Sequence, residues 1–177
     1  MSTSAEHRTR DTSAVRLRAV PYRDPVAQRL VERVQGEYVV RYGGPDGAVV
    51  DPAEFEPPAG AFLVAEVDGV PAGCGAWRVH APGVVEIKRV YVEPAFRRQG
   101  LARLVVDALE SSAARAGHRA VVLNTGDRQP EALALYAAAG YRPVPGYGIY
   151  ADAHGAVFLG KDLPAAPLES KEASWAW

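Results

Sequence analysis

Residues 61–92 hold three β-patterned runs in close succession, "AFLVAEV", "VPAGCGAWRVH" and "VVEIKRVYV", and only "DG" separates the first two. An Asp-Gly link of two residues between apolar runs specifies an antiparallel hairpin, because both turn residues must accept positive φ. The third run ends at Glu93-Pro94. An antiparallel meander therefore occupies the centre of the fold, and the rest of the chain has to be arranged around it.

The flanking segments alternate between strand and helix patterns. "VRLRAV" (15–20) has period two and reads as a strand ended by Pro21 and Pro25. In "PVAQRLVERVQGEYVVRYG", Val26, Leu30, Val34 and Tyr38 fall near helical spacing, with Gly43-Gly44 as the stop and Gly36 as a weak point in the middle. "GGPDGAVVDPAEFEPPAG" reads as a long loop. After Gly100, the residues Leu101, Leu104, Val105, Ala108, Leu109 and Ala113 recur at three and four and predict a helix whose stripe faces the sheet. "RAVVLNT" (119–125) reads as a buried strand. "PEALALYAAAGY" reads as a short helix, with Pro130 in its first turn and Gly140 at its C-terminal end. "AVFLGKDL" (156–163) is a last strand. The 177 residues suit one mixed α/β domain over 14–163, with a polar, disordered N-terminus over 1–13 and a tail over 164–177 that carries Trp175 and Trp177.

Charge and composition narrow the function. The net charge is −1 and no basic stripe stands out, which argues against a nucleic-acid partner. No apolar run approaches the roughly 20 residues of a membrane-spanning helix, so no membrane partner is expected. A lone cysteine, Cys74, rules out an internal disulfide and fits a reducing compartment. "MSTSAEHRTRDTS" has no apolar core of the secretory kind. The expected location is cytoplasmic. No His, Cys, Asp and Glu residues fall at metal-ligand spacing, so no metal is expected.

The stretch "RRQGLARLVVDALE" points to chemistry. Arg97 and Arg98 stand before a helix start, where the macrodipole already disfavours cations by up to about 1 kcal/mol. A bound anion would reverse the sign of that cluster. The free N–H groups of the first turn point at such an anion, Gly100 lets it approach the backbone, and Ala102 keeps the neighbourhood clear. Solvated arginines before an ordinary helix would look the same locally.

"IKRVYVEPAFRRQGLARLVVDALE" resembles the acetyl-CoA-binding core of the GNAT superfamily of N-acetyltransferases, whose pattern Gln/Arg-x-x-Gly-x-Gly/Ala follows a strand ending in Val-x-Pro. Here Arg97, Arg98, Gln99, Gly100, Leu101 and Ala102 follow Val92-Glu93-Pro94. "PEALALYAAAGYRPV" resembles the family's Ala-x-x-Leu-Tyr-x-x-x-Gly-Phe/Tyr segment at Ala132, Leu135, Tyr136, Gly140 and Tyr141. The resemblance implies a mostly antiparallel sheet of six to seven strands flanked by helices and splayed between the fourth and fifth strands. It implies acetyl-CoA as co-substrate, with pantetheine along Val90, Tyr91 and Val92 and pyrophosphate on residues 97–102. Asn124 would bond the pantetheine amides, unless it is simply a turn residue. Tyr136 maps to the general acid for the leaving thiolate. Glu86 maps to a base, alternatively pairs with Lys88 on its own strand face, and leaves His154 or a water chain as other bases. Period two groups Glu86, Lys88, Val90 and Val92 on one face and Ile87, Arg89 and Tyr91 on the other.

The acceptor is expected to be a primary amine of a small molecule or amino acid, attacked directly. A protein N-terminus or lysine is the enzymatic alternative, and a non-catalytic acetyl-CoA-binding module the alternative of another class. Tyr147, Tyr150 and His154, in "GYGIYADAHG", are the candidate acceptor contacts, with Glu54 and Glu56 as carboxylates that could attract an amine. Family members often form homodimers, an assembly these residues do not themselves specify.

Overall fold

The computed structural model describes residues 14–165. The N-terminal segment 1–13 and most of the 164–177 tail, with Trp175 and Trp177, lie outside the described residues. Seven strands form one sheet: β1 (Val15–Val20), β2 (Gly60–Val67), β3 (Val70–Ala81), β4 (Val84–Val92), β5 (Ala120–Gly126), β6 (Arg142–Pro143) and β7 (Ala156–Asp162). Their spatial order is β1-β2-β3-β4-β5-β7-β6. The pairs are antiparallel except β4 with β5, which run parallel. Among the described residues three α-helices flank the sheet, α1 (Pro25–Tyr42), α2 (Leu101–Arg115) and α3 (Pro130–Ala138).

Local chemistry sets these boundaries. Asp68 and Gly69 both take positive φ (50° and 80°), so β2 turns into β3 in two residues with Val67 opposite Val70. Asp24 caps α1, its carboxylate accepting from the Val26 N–H at 2.8 Å, and Pro25 follows at the first helical position. Gly43, at φ 82°, closes the helix by donating its N–H to the Val39 carbonyl at 2.9 Å. Gly36 lies inside the helix without breaking it.

The sheet has a core on each face. Ala27, Leu30, Val31 and Val34 of α1 cover one face, against Phe62, Val64, Cys74, Ala76 and Tyr91. Leu101, Val105, Val106, Leu109 and Ala113 of α2 cover the other, against Leu63, Trp77, Val85, Ile87 and Val92. The α2 stripe differs from the expected one at three positions. Leu104 is 45 % exposed, while Val106 and Glu110 turn inward. Glu110 can be buried because Lys161 of β7 meets its carboxylate at 2.7 Å.

Candidate active site

β4 and β5 stay paired only from Val84 opposite Ala120 to Ile87 opposite Leu123. Past that point β4 keeps only β3 and β5 keeps only β7. The sheet therefore splits in its middle, as expected, and a cleft of about 840 Å³ occupies the gap. Its walls come from the second half of α1, residues 44–46, the far half of β4, the start of α2, the end of β5 and α3.

The far half of β4 is not a regular strand. Arg89 and Val90 together face the single residue Gly75, since Lys88 pairs with Ala76 and Tyr91 with Cys74. This β-bulge places Arg89 at φ 60°, a left-handed conformation that is uncommon for arginine. It also overturns the strict alternation expected from the sequence. Val90 and Val92 pack toward α2, Tyr91 packs toward α1, and Arg89 turns to the same side as Lys88. Two successive cations thus share one wall of the cleft.

At the α2 end, the strand delivers the chain into a loop with two left-handed residues, Arg98 (φ 61°) and Gly100 (φ 81°). The first helical bond runs from the Leu104 N–H to the Gly100 carbonyl at 3.1 Å. The amides of Leu101, Ala102 and Arg103 precede it and carry the positive end of the helix dipole. A Cβ on Gly100 would meet no atom within 4 Å, so the cleft side of this turn is open space. Arg98, Gly100, Leu101 and Ala102 line the cleft, and Gln99 does not; its side-chain amide donates weakly to the Ala95 carbonyl at 3.4 Å. Arg97 lines the cleft with its guanidinium already engaged. Its Nε donates to the Val92 carbonyl at 2.9 Å, and a terminal nitrogen binds the Glu37 carboxylate of α1.

Tyr136 reaches the cleft from the last turn of α3 and is 6 % exposed. Its ring meets Tyr141 edge-on at 5.3 Å. Burial pushes its hydroxyl well above the ordinary phenol range. Among the described residues none hydrogen-bonds that hydroxyl. Asn124 lines the cleft where β5 leaves β4. Tyr38 of α1 joins this wall, its hydroxyl pushed up to about 12 by burial.

The opposite end is organised by Asp46, which sequence reasoning missed. Its carboxylate accepts from Arg89 at 2.9 Å, from the Tyr150 hydroxyl at 3.0 Å and from the Ala48 N–H at 3.0 Å. Burial opposes its ionisation, but the Ala48 N–H, Lys88, Arg89 and the Tyr150 hydroxyl outweigh that and hold the carboxyl below its usual range. Tyr150 and His154 line the cleft.

Glu86 and Tyr147 do not reach the cleft. Glu86 is 4 % exposed and accepts from Arg78 at 2.9 Å and from the Tyr147 hydroxyl at 3.2 Å. Lys88, whose ammonium lies 3.6 Å from the oxygen that Tyr147 bonds, does line the cleft. Tyr147 packs between His80 and Phe158, with ring separations of 4.5 and 5.0 Å. The loop carboxylates are likewise engaged, Glu54 with Arg78 at 2.6 Å and Glu56 with the Tyr22 N–H at 2.8 Å.

Comparison with known proteins gives a consistent result. The family model described as "Acetyltransferase (GNAT) family" matches residues 27–141. An IAA acetyltransferase of Azospirillum brasilense is 31 % identical over 147 residues, which cover 82 % of this chain and 95 % of that protein. A provisionally named acyl-CoA N-acyltransferase from Klebsiella pneumoniae superposes with a TM-score of 0.71 at 26 % identity, over 85 % of this chain and 98 % of that one. The PaiA N-acetyltransferase of Thermoplasma acidophilum, solved with coenzyme A, superposes at 0.65 over 84 % and 99 % of the two chains; at 14 % identity it shows the shared fold alone. Among the described residues no helix is long and apolar enough to cross a membrane.

Proposed function

The chain belongs to the acetyltransferase (GNAT) family and is an acetyl-CoA-dependent acyltransferase, and from that premise we propose that it acetylates a primary amine of a small molecule or amino acid by direct attack. One observation carries this reading. The split between β4 and β5 brings an open helix start, free strand amides and a buried phenol with an unengaged hydroxyl into one cleft.

The residues fit the co-substrate by their donor chemistry. Amides at the start of α2, with Gly100 offering open space, suit a pyrophosphate. The unpaired edge of β4 at residues 90–92, with Asn124 across the gap, suits the amides of a pantetheine arm. Acetyl-CoA supplies the thioester. The β4 amides freed by the split polarise its carbonyl, and the Tyr136 hydroxyl donates its proton to the departing sulfur. No covalent enzyme intermediate is required. Glu86 is the proposed proton acceptor, acting through water because its carboxylate does not line the cleft. His154, which lines the cleft directly, is the second candidate. The acceptor enters at the end formed by Asp46, Lys88, Arg89 and Tyr150. The IAA acetyltransferase among the relatives supports a small-molecule acceptor.

The test is calorimetric titration with acetyl-CoA, followed by thiol release over a panel of amines. Saturable binding that Gly100→Glu abolishes, with amine-dependent release, is the expected result. Binding unaffected by a carboxylate at position 100 would refute the anion site.

A further inference from the structure

We infer that the acceptor amine carries a carboxylate, which Lys88 and Arg89 bind; this deepens the proposed amine acetylation and rests on it. At the end of the cleft opposite α2, donors and acceptors are unevenly matched. The acidic groups beside these cations, Asp46 in the cleft wall and Glu86 behind it, are already engaged. Asp46 accepts from Arg89, Tyr150 and the Ala48 amide. Glu86 accepts from Arg78 and Tyr147. The cationic groups are not saturated. Arg89 is 4 % exposed, and its Nε–H has no partner among the described residues although it is fully buried. Lys88 has Asp46 and Glu86 oxygens at 3.7 and 3.6 Å, both beyond hydrogen-bond distance.

A buried donor without an acceptor is costly, and native proteins rarely leave one. The surplus here is of donors, on two side chains that both line the cleft. A ligand that completes this end must therefore bring acceptors. A carboxylate has two oxygens and about four lone-pair sites, and it forms charge-assisted bonds with ammonium and guanidinium groups. A second cationic amine would add donors where none is needed.

The backbone supports the same reading. Without the bulge, Lys88 and Arg89 would point to opposite faces of β4. Holding an arginine at φ 60° is unfavourable, and such conformations cluster where function over-determines the structure. The result of this one is to place two cations side by side on the cleft wall.

The experiment compares matched acceptors that differ only by the carboxylate: phenylalanine with 2-phenylethylamine, lysine with cadaverine, and methionine with 3-(methylthio)propylamine. Acetyl-CoA thiol release is followed for the full-length protein, for Lys88→Met and for Lys88→Arg. The inference expects kcat/KM to favour the amino acid of a pair by roughly 10- to 100-fold, the factor associated with hydrogen bonds to charged groups. Lys88→Met should collapse that preference mainly through KM, and Lys88→Arg should retain much of it. Equal or faster turnover of the decarboxylated partners overturns the inference and leaves amine acetylation standing. So does a preference that survives Lys88→Met. No transfer to any member of the panel overturns both.

Discussion

Arg97 and Glu37 form an ion pair that ties the loop before α2 to the middle of α1, and the Arg97 Nε–H holds the same loop to the Val92 carbonyl. The cation expected to meet an anionic ligand is therefore shared with a carboxylate of the protein. Removing that competitor should release it. Glu37→Gln is expected to tighten acetyl-CoA binding severalfold in calorimetry at low salt. Both partners are partly exposed, so the lost pair should cost about 0.5–1 kcal/mol of stability and lower Tm by a few degrees. Weaker binding in the variant would show that Glu37 holds Arg97 in its productive position.

Tyr136→Phe should lower kcat by about 10²-fold or more with little change in acetyl-CoA affinity, as loss of a general acid does. Because burial raises the folded-state value of this hydroxyl, the group stays protonated through the neutral range, and any alkaline limb of kcat below pH 10 belongs to another residue. The folded state holds the proton more tightly than the unfolded chain, whose phenols titrate near about 10. The stability this contributes is intact below about pH 10 and is lost as pH rises toward the folded value. This group should add no pH dependence to thermal melts between neutral pH and about 10, and Tyr136→Phe should soften the fall beyond that.

The two candidate bases separate by mutation. Glu86→Gln should lower kcat/KM by about 10²-fold if the amine proton reaches that carboxylate through water. It should also loosen Arg78 and Tyr147, so Tyr147→Phe serves as a control that breaks one of the same contacts and leaves the carboxylate in place. His154→Gln should then leave kcat/KM near the wild-type value. The reverse pattern would assign the proton to His154.

Asp46→Asn should destabilise the fold by roughly 3 kcal/mol, because Arg89 would lose its carboxylate partner while remaining buried. Tm should drop by several degrees at neutral pH. The wild-type carboxyl titrates below its usual range, so its contribution is present above about pH 4 and is lost as pH falls through the folded value. The gap between wild-type and variant melts should therefore narrow on acidification. A gap independent of pH from 3 to 7 would refute this account.

Most of the framework was legible because its signals are local. Asp68-Gly69 marks a turn with two positive φ values, Gly43 marks a helix end, and Gly100 marks the start of α2. The split of the sheet and the cleft position of Tyr136 came from resemblance in two motifs, since no local rule states where parallel strands part. What escaped was long-range. The β4 bulge puts its positive φ on Arg89, where no glycine advertises it, and the face of every later residue on the strand changes with it. Asp46 lies in a loop that reads only as Pro and Gly; its significance comes from Arg89 and from Tyr150, more than 100 residues away. Glu86 illustrates the converse. Its strand and face were readable, but Arg78 from β3 and Tyr147 from the last loop decide that its carboxylate is engaged away from the cleft.

The split in the sheet also bears on solubility. A strand edge with unpaired amides is ordinarily a template for another chain, and proteins blunt such edges with charge, proline or cover. Here the open edge of β4 lies inside the molecule, walled by α1, α3 and the turn after β5. The elements that wall the cleft supply the cover such an edge needs, so a feature that elsewhere promotes aggregation is kept within the fold as part of a binding cleft.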